Sequence, residues 1–99
     1  MENEEFCKRL YEVITKSGKT MSAAGYDMGK SHDYMGQIVR GARAMKIPDF
    51  LLLCKELNIR PVDFFDEEVE NPGKLYELIL EAKPLSDRKI EAILKLIRQ

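Results

Sequence analysis

Residues 20–41, TMSAAGYDMGKSHDYMGQIVRG, limit the possible fold more than any other part of the chain. Thr20 is placed to cap a helix over residues 21–28, because its hydroxyl can accept a hydrogen bond from an unpaired amide of the first turn. Gly29 can take positive φ, which ends that helix and reverses the chain. The stretch therefore predicts a short helix followed by a sharp turn.

A second short helix is predicted over residues 32–39, directly after Ser31. Met35, Ile38 and Val39 recur at helical spacing on one side of it. The other side carries polar or small residues, namely His32, Asp33, Gly36 and Gln37. Two helices joined at a glycine are typical of a helix-turn-helix, in which the second helix lies in the DNA major groove.

The positions of Gly29, Ser31, Met35, Gly36, Ile38 and Gly41 follow a known pattern. With this spacing the stretch resembles the helix-turn-helix of the phage Cro/cI repressor family, also called the XRE family. Residues 51–65, LLLCKELNIRPVDFF, resemble the fourth and fifth helices of that family. The resemblance covers about residues 6–65. It implies an all-α, lambda-repressor-like DNA-binding domain of five helices over residues 1–66.

The same resemblance implies a sequence-specific transcriptional regulator, of repressor type, whose partner is a double-stranded DNA operator. Gln37 can pair with adenine, Asp33 can accept from cytosine, and His32 can donate to guanine or to a phosphate. Tyr34 is expected at the edge of the helix, towards the DNA backbone or thymine methyl groups. The expected phosphate contacts are Lys30, Ser31, Arg40, Arg43 and Thr20.

Three residues depart from the family pattern. Met21 stands where the family commonly has a glutamine that contacts phosphate, Gly36 replaces a common serine, and Val39 replaces a common glutamate. These changes keep a second interpretation open. The chain could be a protein-interaction module, antitoxin-like or regulator-binding, that keeps the fold without operator binding.

Charge is segregated along the chain although the net charge is only −1. Residues 16–46 hold six basic and two acidic residues, whereas residues 47–73 hold two basic and seven acidic ones. The basic segment is the one that contains the two short helices. A local positive field of this kind favours binding to phosphates.

Enzymatic and metal chemistry have little support in the sequence. His32 has no second ligand at metal spacing, and Cys7 and Cys54 have the spacing of neither a zinc site nor a disulfide framework. The two cysteines are predicted to be buried. We expect no catalytic residues, cofactor, metal or small-molecule ligand. No apolar run is long enough to span a membrane, and an acidic amino terminus predicts a cytoplasmic protein.

Further helices are predicted on both sides of the central stretch. Residues 2–16 carry an apolar stripe, residues 47–57 read as a strongly apolar core helix, and Pro61 begins a short helical turn. That turn is expected to bring Phe64 and Phe65 back to close the core.

Residues 67–99 are predicted to form an appended helical hairpin. Asn71 and Ser86 are placed to cap helices over residues 72–82 and 87–98. Two helices alone cannot bury the aliphatic residues of this segment, so we expect a homodimer, with the hairpin folded back on the core as the alternative. The expected dimer interface is Leu78, Ile79, Ile90, Ile93, Leu94 and Ile97.

Overall fold

A computed structural model describes residues 1–99, and it contains seven α-helices and no strand. The all-α prediction is therefore confirmed. None of the seven helices has the length and apolarity needed to cross a membrane. The helices are α1 (Asn3–Lys16), α2 (Met21–Asp27), α3 (Tyr34–Val39), α4 (Ile47–Leu57), α5 (Pro61–Phe64), α6 (Pro72–Ala82) and α7 (Asp87–Ile97).

The predicted helix caps are present. The hydroxyl of Thr20 accepts from the amide of Ala23 at 3.0 Å, and the side chain of Asn71 accepts from the amide of Lys74 at 3.1 Å. Ser86 does the same at the start of α7. Between α2 and α3 the chain reverses at Gly29, where φ is +77°.

The predicted start of α3 is wrong. The helix begins at Tyr34 rather than His32, and Asp33 is its N-cap residue. The Asp33 side chain makes no capping bond, because its carboxylate accepts from Ser31 and Gln37 instead. His32 therefore lies in the turn that precedes the helix.

One hydrophobic core cluster is built from residues 10–64; of the two C-terminal helices, only Pro72 at the start of α6 is buried in addition. Leu10 of α1, Met35 of α3 and Phe64 of α5 are fully buried in it. Cys7 and Cys54 are buried, as predicted, and burial raises the pKa of the Cys54 thiol to about 11. The core cluster thus lies in the part of the chain that forms the first five helices.

Aromatic packing at α5 differs from the prediction in one respect. The Phe64 ring is buried and packs edge-on against Phe50, with the ring centroids 4.9 Å apart. Phe65 also lies near Phe50, with a centroid distance of 5.4 Å, but it remains 50% exposed. Phe64 alone therefore closes the core, because Phe65 follows the end of α5 and reaches only its rim.

Small residues in α2 allow α3 to approach closely. A Cβ atom on Gly25 would lie 3.0 Å from the carbonyl oxygen of Ser31 and 3.7 Å from the Cβ of Tyr34. Glycine at this position costs about 0.5–1 kcal/mol of helix propensity relative to alanine. In return it lets the turn and the start of α3 pack directly on α2.

Arg9 forms a buried connection that the sequence did not reveal. Its side chain lies on α1 and is almost fully buried. Nε donates to the carbonyl oxygen of Phe64 at 2.6 Å, and the two N–H groups of Nη2 are shared among those of Asp63, Asp66 and Val69 at 2.9, 3.0 and 2.8 Å. Arg9 thereby ties α1 to α5 and to the acidic connector that follows it.

The C-terminal helices make a smaller contribution to the packed structure. The start of α6 is held to the core region by the Lys16–Glu70 ion pair and by the Arg60 guanidinium, 5.7 Å from the centre of the Tyr76 ring. The closely packed helix pairs all lie among α1 to α4, and α7 has no buried residue. The molecule is elongated and measures 49 × 26 × 21 Å.

Candidate nucleic-acid interface

Helix α3 is fixed in orientation by the side that it buries. Tyr34, Met35 and Ile38 lie in the core, as predicted for Met35 and Ile38. The Cys7 thiol donates to the carbonyl oxygen of Ile38 at 3.2 Å, which ties the end of α3 to α1. The opposite side of α3 consequently faces outward.

A chain of polar contacts runs along that outward side. The Ser31 hydroxyl donates to Asp33 Oδ1 at 2.8 Å, and Gln37 Nε2 donates to Asp33 Oδ2 at 3.1 Å. Arg43 Nη1 approaches Gln37 Oε1 at 3.4 Å. Four predicted contact residues, Ser31, Asp33, Gln37 and Arg43, are therefore brought together in one network.

Ionisation of Asp33 is favoured within this network. The hydrogen bond from Ser31 is the main cause that lowers the pKa of Asp33, and nearby His32 and Arg43 act in the same direction. Both carboxylate oxygens already accept hydrogen bonds. Each of these oxygens has a second lone pair, so Asp33 can accept from a cytosine amino group while keeping both hydrogen bonds.

Tyr34 is not at the exposed edge of α3, where it was expected. Its side chain is only 4% exposed, and its hydroxyl donates to Asp49 Oδ2 at 2.8 Å. Burial, followed by that hydrogen bond, raises the pKa of Tyr34 to about 12. The prediction was wrong because Tyr34 packs inward: its Cβ would lie 3.7 Å from a Cβ on Gly25 of α2, and Asp49 of α4 accepts from its hydroxyl.

The remaining predicted residues take different positions around α3. His32 is exposed in the preceding turn, and Thr20 lies at the start of α2 with its hydroxyl used in the cap. Arg40 is exposed at the C-terminal end of α3. Its Nη1 would lie 3.1 Å from a Cβ on Gly36, so the missing side chain at Gly36 makes room for this guanidinium.

Basic residues near α3 fall into two groups. Lys19 and Lys30 form ion pairs, with Asp27 and Asp49 respectively. Three other cations form no ion pair, and they follow one another after the end of α3: Arg40, Arg43 and Lys46. Positive charge is therefore available at one end of the outward side of α3.

Two residues at this surface were missed as site residues. Lys46 was counted in the basic segment but not assigned a contact, and Asp49 was given no role. Asp49 lies on α4 and reaches both Lys30 and Tyr34. One local feature of the sequence could have indicated the role of Asp49: it is an acidic residue in the first turn of α4, directly after a basic loop.

The chain matches no protein-family model, no curated protein and no solved structure.

The buried phenol of Tyr34 leads to a testable pH dependence. Because the pKa of Tyr34 is higher in the folded protein than in the unfolded chain, its stabilising contribution is complete below about pH 10 and is lost as pH rises towards 12. We expect wild-type protein to lose roughly 2–3 kcal/mol of unfolding free energy over this range from Tyr34 alone. The measurement is urea unfolding at a series of alkaline pH values.

Tyr34→Phe is the control, because lysines also titrate in this range. The variant should show a smaller decline with pH than the wild type does. Equal declines in the two proteins would contradict the assignment of the raised pKa to Tyr34.

Proposed function

We propose that this chain is a sequence-specific regulator that binds double-stranded DNA by placing α3 in the major groove. In this proposal, α1 to α5 form a lambda-repressor-like domain and α2 and α3 form its helix-turn-helix. The observation that carries the proposal is the division of α3 into two sides. One side is buried through Met35 and Ile38, and the other presents Asp33 and Gln37 beside cations that have no ion-pair partner.

On binding DNA, the side chains on the outward side of α3 would replace their contacts with one another by contacts with bases and phosphates. Gln37 uses its amide donor on Asp33 in the free protein, and both ends of the same amide suit adenine. Arg40 and Arg43 then neutralise phosphates and set the register of α3. His32 contacts a base or a phosphate from the turn before the helix.

Repression is the proposed outcome of this binding, through occupation of an operator. We place a regulator of this kind in the cytoplasm. The test is selection of bound sites from a random pool of double-stranded DNA, followed by affinity measurements at several salt concentrations. We expect one enriched site and an affinity that falls log-linearly as salt rises.

Removal of one base contact should change the preference for DNA sequence without changing the fold. We expect Gln37→Ala to lose about 1–3 kcal/mol of discrimination at one base position of the selected site. Thermal unfolding should remain close to that of the wild type, because Gln37 contacts only surface side chains. Affinities for the site and for its single-base variants give the measurement.

Arg43→Ala is the matched variant for a phosphate contact. It should weaken binding to all sequences alike and reduce the salt slope by about one. If Arg43→Ala altered base preference while Gln37→Ala did not, α3 would lie in the groove differently from the proposal.

A second candidate function is a protein-interaction module that keeps this fold without operator binding. The observation in its favour is the carboxylate of Asp33, which lies at the centre of the outward side of α3 and would be repelled by phosphates. Absence of DNA binding at low salt across the random pool would favour this module over the DNA-binding regulator.

We also propose that the chain forms a homodimer through α6 and α7. Support comes from the core cluster, which spans residues 10–64; apart from Pro72 at the start of α6, no residue of α6 or α7 is buried in the monomer. Leu78 and Ile97 are exposed, while Ile79, Ile90, Ile93 and Leu94 are only partly buried. A two-fold dimer would set two copies of α3 about 34 Å apart, one turn of DNA.

The dimer prediction can be tested with two double variants of the full chain. Leu78→Glu with Ile97→Glu alters residues that are 52% and 65% exposed, and Leu51→Glu with Val62→Glu alters residues that are 51% and 65% exposed on α4 and α5. In analytical ultracentrifugation at micromolar concentration, we expect a dimeric wild type, a monomeric first variant and a dimeric second variant. A monomeric wild type would show that α6 and α7 do not pair, and loss of the dimer only in the second variant would move the interface to α4 and α5.

A further inference from the structure

A small cleft next to α3 combines three cations, one carboxylate and one aromatic ring. It is lined by Lys30, Tyr34, Arg43, Ala44, Lys46 and Asp49. These residues come from the turn before α3, from α3 itself, from the following loop and from the first turn of α4. The cleft is therefore created only when α3 and α4 pack together.

The Tyr34 ring arranges the cations at this cleft. The Lys30 ammonium lies 5.3 Å and the Arg43 guanidinium 5.0 Å from the centre of the ring. Contacts at these distances are favourable cation–π interactions. Since the ring is buried and its hydroxyl is bonded to Asp49, it gives the long side chains of Lys30 and Arg43 a fixed surface to pack against.

Asp49 is the only acidic residue of the cleft. Its side chain is 21% exposed, and Oδ1 lies 3.5 Å from the Lys30 ammonium. The hydrogen bond from Tyr34 is the main cause that lowers the pKa of Asp49, with Lys30 and Lys46 acting in the same direction. Asp49 is consequently charged at neutral pH.

We propose that this cleft receives one phosphate of the DNA backbone and that Asp49 is a positioning residue that competes with this phosphate for Lys30. The inference rests on the proposed DNA-binding function. Lys46 becomes a third phosphate contact, beside Lys30 and Arg43. Asp49 keeps Lys30 and Tyr34 in place in the free protein, and its charge makes phosphate binding weaker than the three cations alone would allow.

The physical argument is the balance of charge in the cleft. Without Asp49, three cations surround the site, and near a protein surface a single charge a few ångströms from a bound phosphate changes its affinity by about tenfold or more. A carboxylate that already holds Lys30 opposes an incoming phosphate by repulsion and by competition for the same ammonium. Removing only the charge of Asp49 should therefore strengthen DNA binding, whereas a residue with a merely structural role would weaken it when replaced.

Asp49→Asn tests this prediction in the full chain, because asparagine keeps an oxygen that can accept from the Tyr34 hydroxyl. We expect about tenfold tighter binding to the selected DNA site and to unrelated DNA alike, and a salt slope steeper by about one. Glu70→Gln is the matched control, since it removes the same charge from an ion pair with Lys16 outside the cleft. Its affinity should change by less than about twofold.

A second measurement locates the phosphate. Neutral methylphosphonate groups are placed one at a time along the DNA backbone, and each DNA is tested with wild type and with Lys46→Ala. One position should weaken wild-type binding and have a much smaller effect on the variant, because the contact is already lost.

The possible failures can be told apart. If wild-type protein binds DNA but Asp49→Asn binds equally or more weakly with an unchanged salt slope, the role of Asp49 is overturned and the DNA-binding proposal stands. If no methylphosphonate position is coupled to Lys46, the cleft is not the phosphate site. If wild-type protein binds no DNA even at low salt, both proposals fail together.

Discussion

Replacing Arg9 by leucine is expected to lower the free energy of unfolding by about 3–5 kcal/mol. The side chain is 6% exposed and donates to four carbonyl oxygens on α5 and the connector. Leucine fills part of the space but leaves the carbonyl oxygens of Phe64 and Val69 without a protein donor, whereas those of Asp63 and Asp66 keep the backbone amides of Asp66 and Val69. Each buried acceptor without a partner costs about 1–3 kcal/mol, although water entering at the surface side reduces the total.

The measurement is denaturant unfolding of the full chain followed by circular dichroism. Arg9→Lys should fall between the wild type and Arg9→Leu, because an ammonium keeps the charge but cannot direct donors in the same fork. Arg88→Leu, at an exposed residue on α7 without an ion pair, should change stability by less than about 0.5 kcal/mol. A loss below about 1 kcal/mol for Arg9→Leu would show that the carbonyl groups find other donors.

The second large effect concerns DNA affinity. Changing Arg40, Arg43 and Lys46 together to glutamine should weaken binding at low salt by roughly two to three orders of magnitude, since each phosphate contact contributes a counterion-release term with a slope of about 0.9. The salt slope should fall by about three. Stability should change little, because these three exposed side chains form no ion pairs.

A second triple variant that loses the same number of positive charges elsewhere is the control. It separates the effect of the cations near α3 on DNA affinity from the effect of net charge. Lys55, Lys83 and Lys89 are exposed, lack ion pairs and lie away from α3 in the chain. Their replacement by glutamine should reduce affinity much less, by long-range electrostatics alone. Equal losses in the two triple variants would mean that DNA is bound by overall charge and not at the surface of α3.

Much of the helical structure follows from local signals in the sequence. Some features depend only on contacts within one turn of the chain. They are the caps at Thr20, Asn71 and Ser86 and the positive φ at Gly29. The bounds of α4 agree with the prediction because Pro48 and the apolar run mark them locally. The predicted start of α3 was wrong, and the cause is also local. The Asp33 carboxylate bonds to Ser31 and Gln37 instead of capping the helix.

The candidate site was predicted less completely. Spacing placed Met35 and Ile38 in the core and left Asp33 and Gln37 outside, because a 3.6-residue period assigns residues to helix faces. The same period could not assign Tyr34, which lies near the boundary between the faces. Its burial depends on Asp49, fifteen positions away, which satisfies the hydroxyl that would otherwise be costly to bury.

The sequence by itself determined the helices, their caps, the glycine turn and the segregation of charge, since these depend on neighbours within a few residues. Only the tertiary structure decided that Arg9 is buried against the carbonyl groups of α5 and that Asp49 reaches Tyr34 and Lys30. It also decided which cations are paired and which remain free. The physical reason is distance along the chain: a polar side chain can be buried, or a charge neutralised, only by partners that folding brings to it.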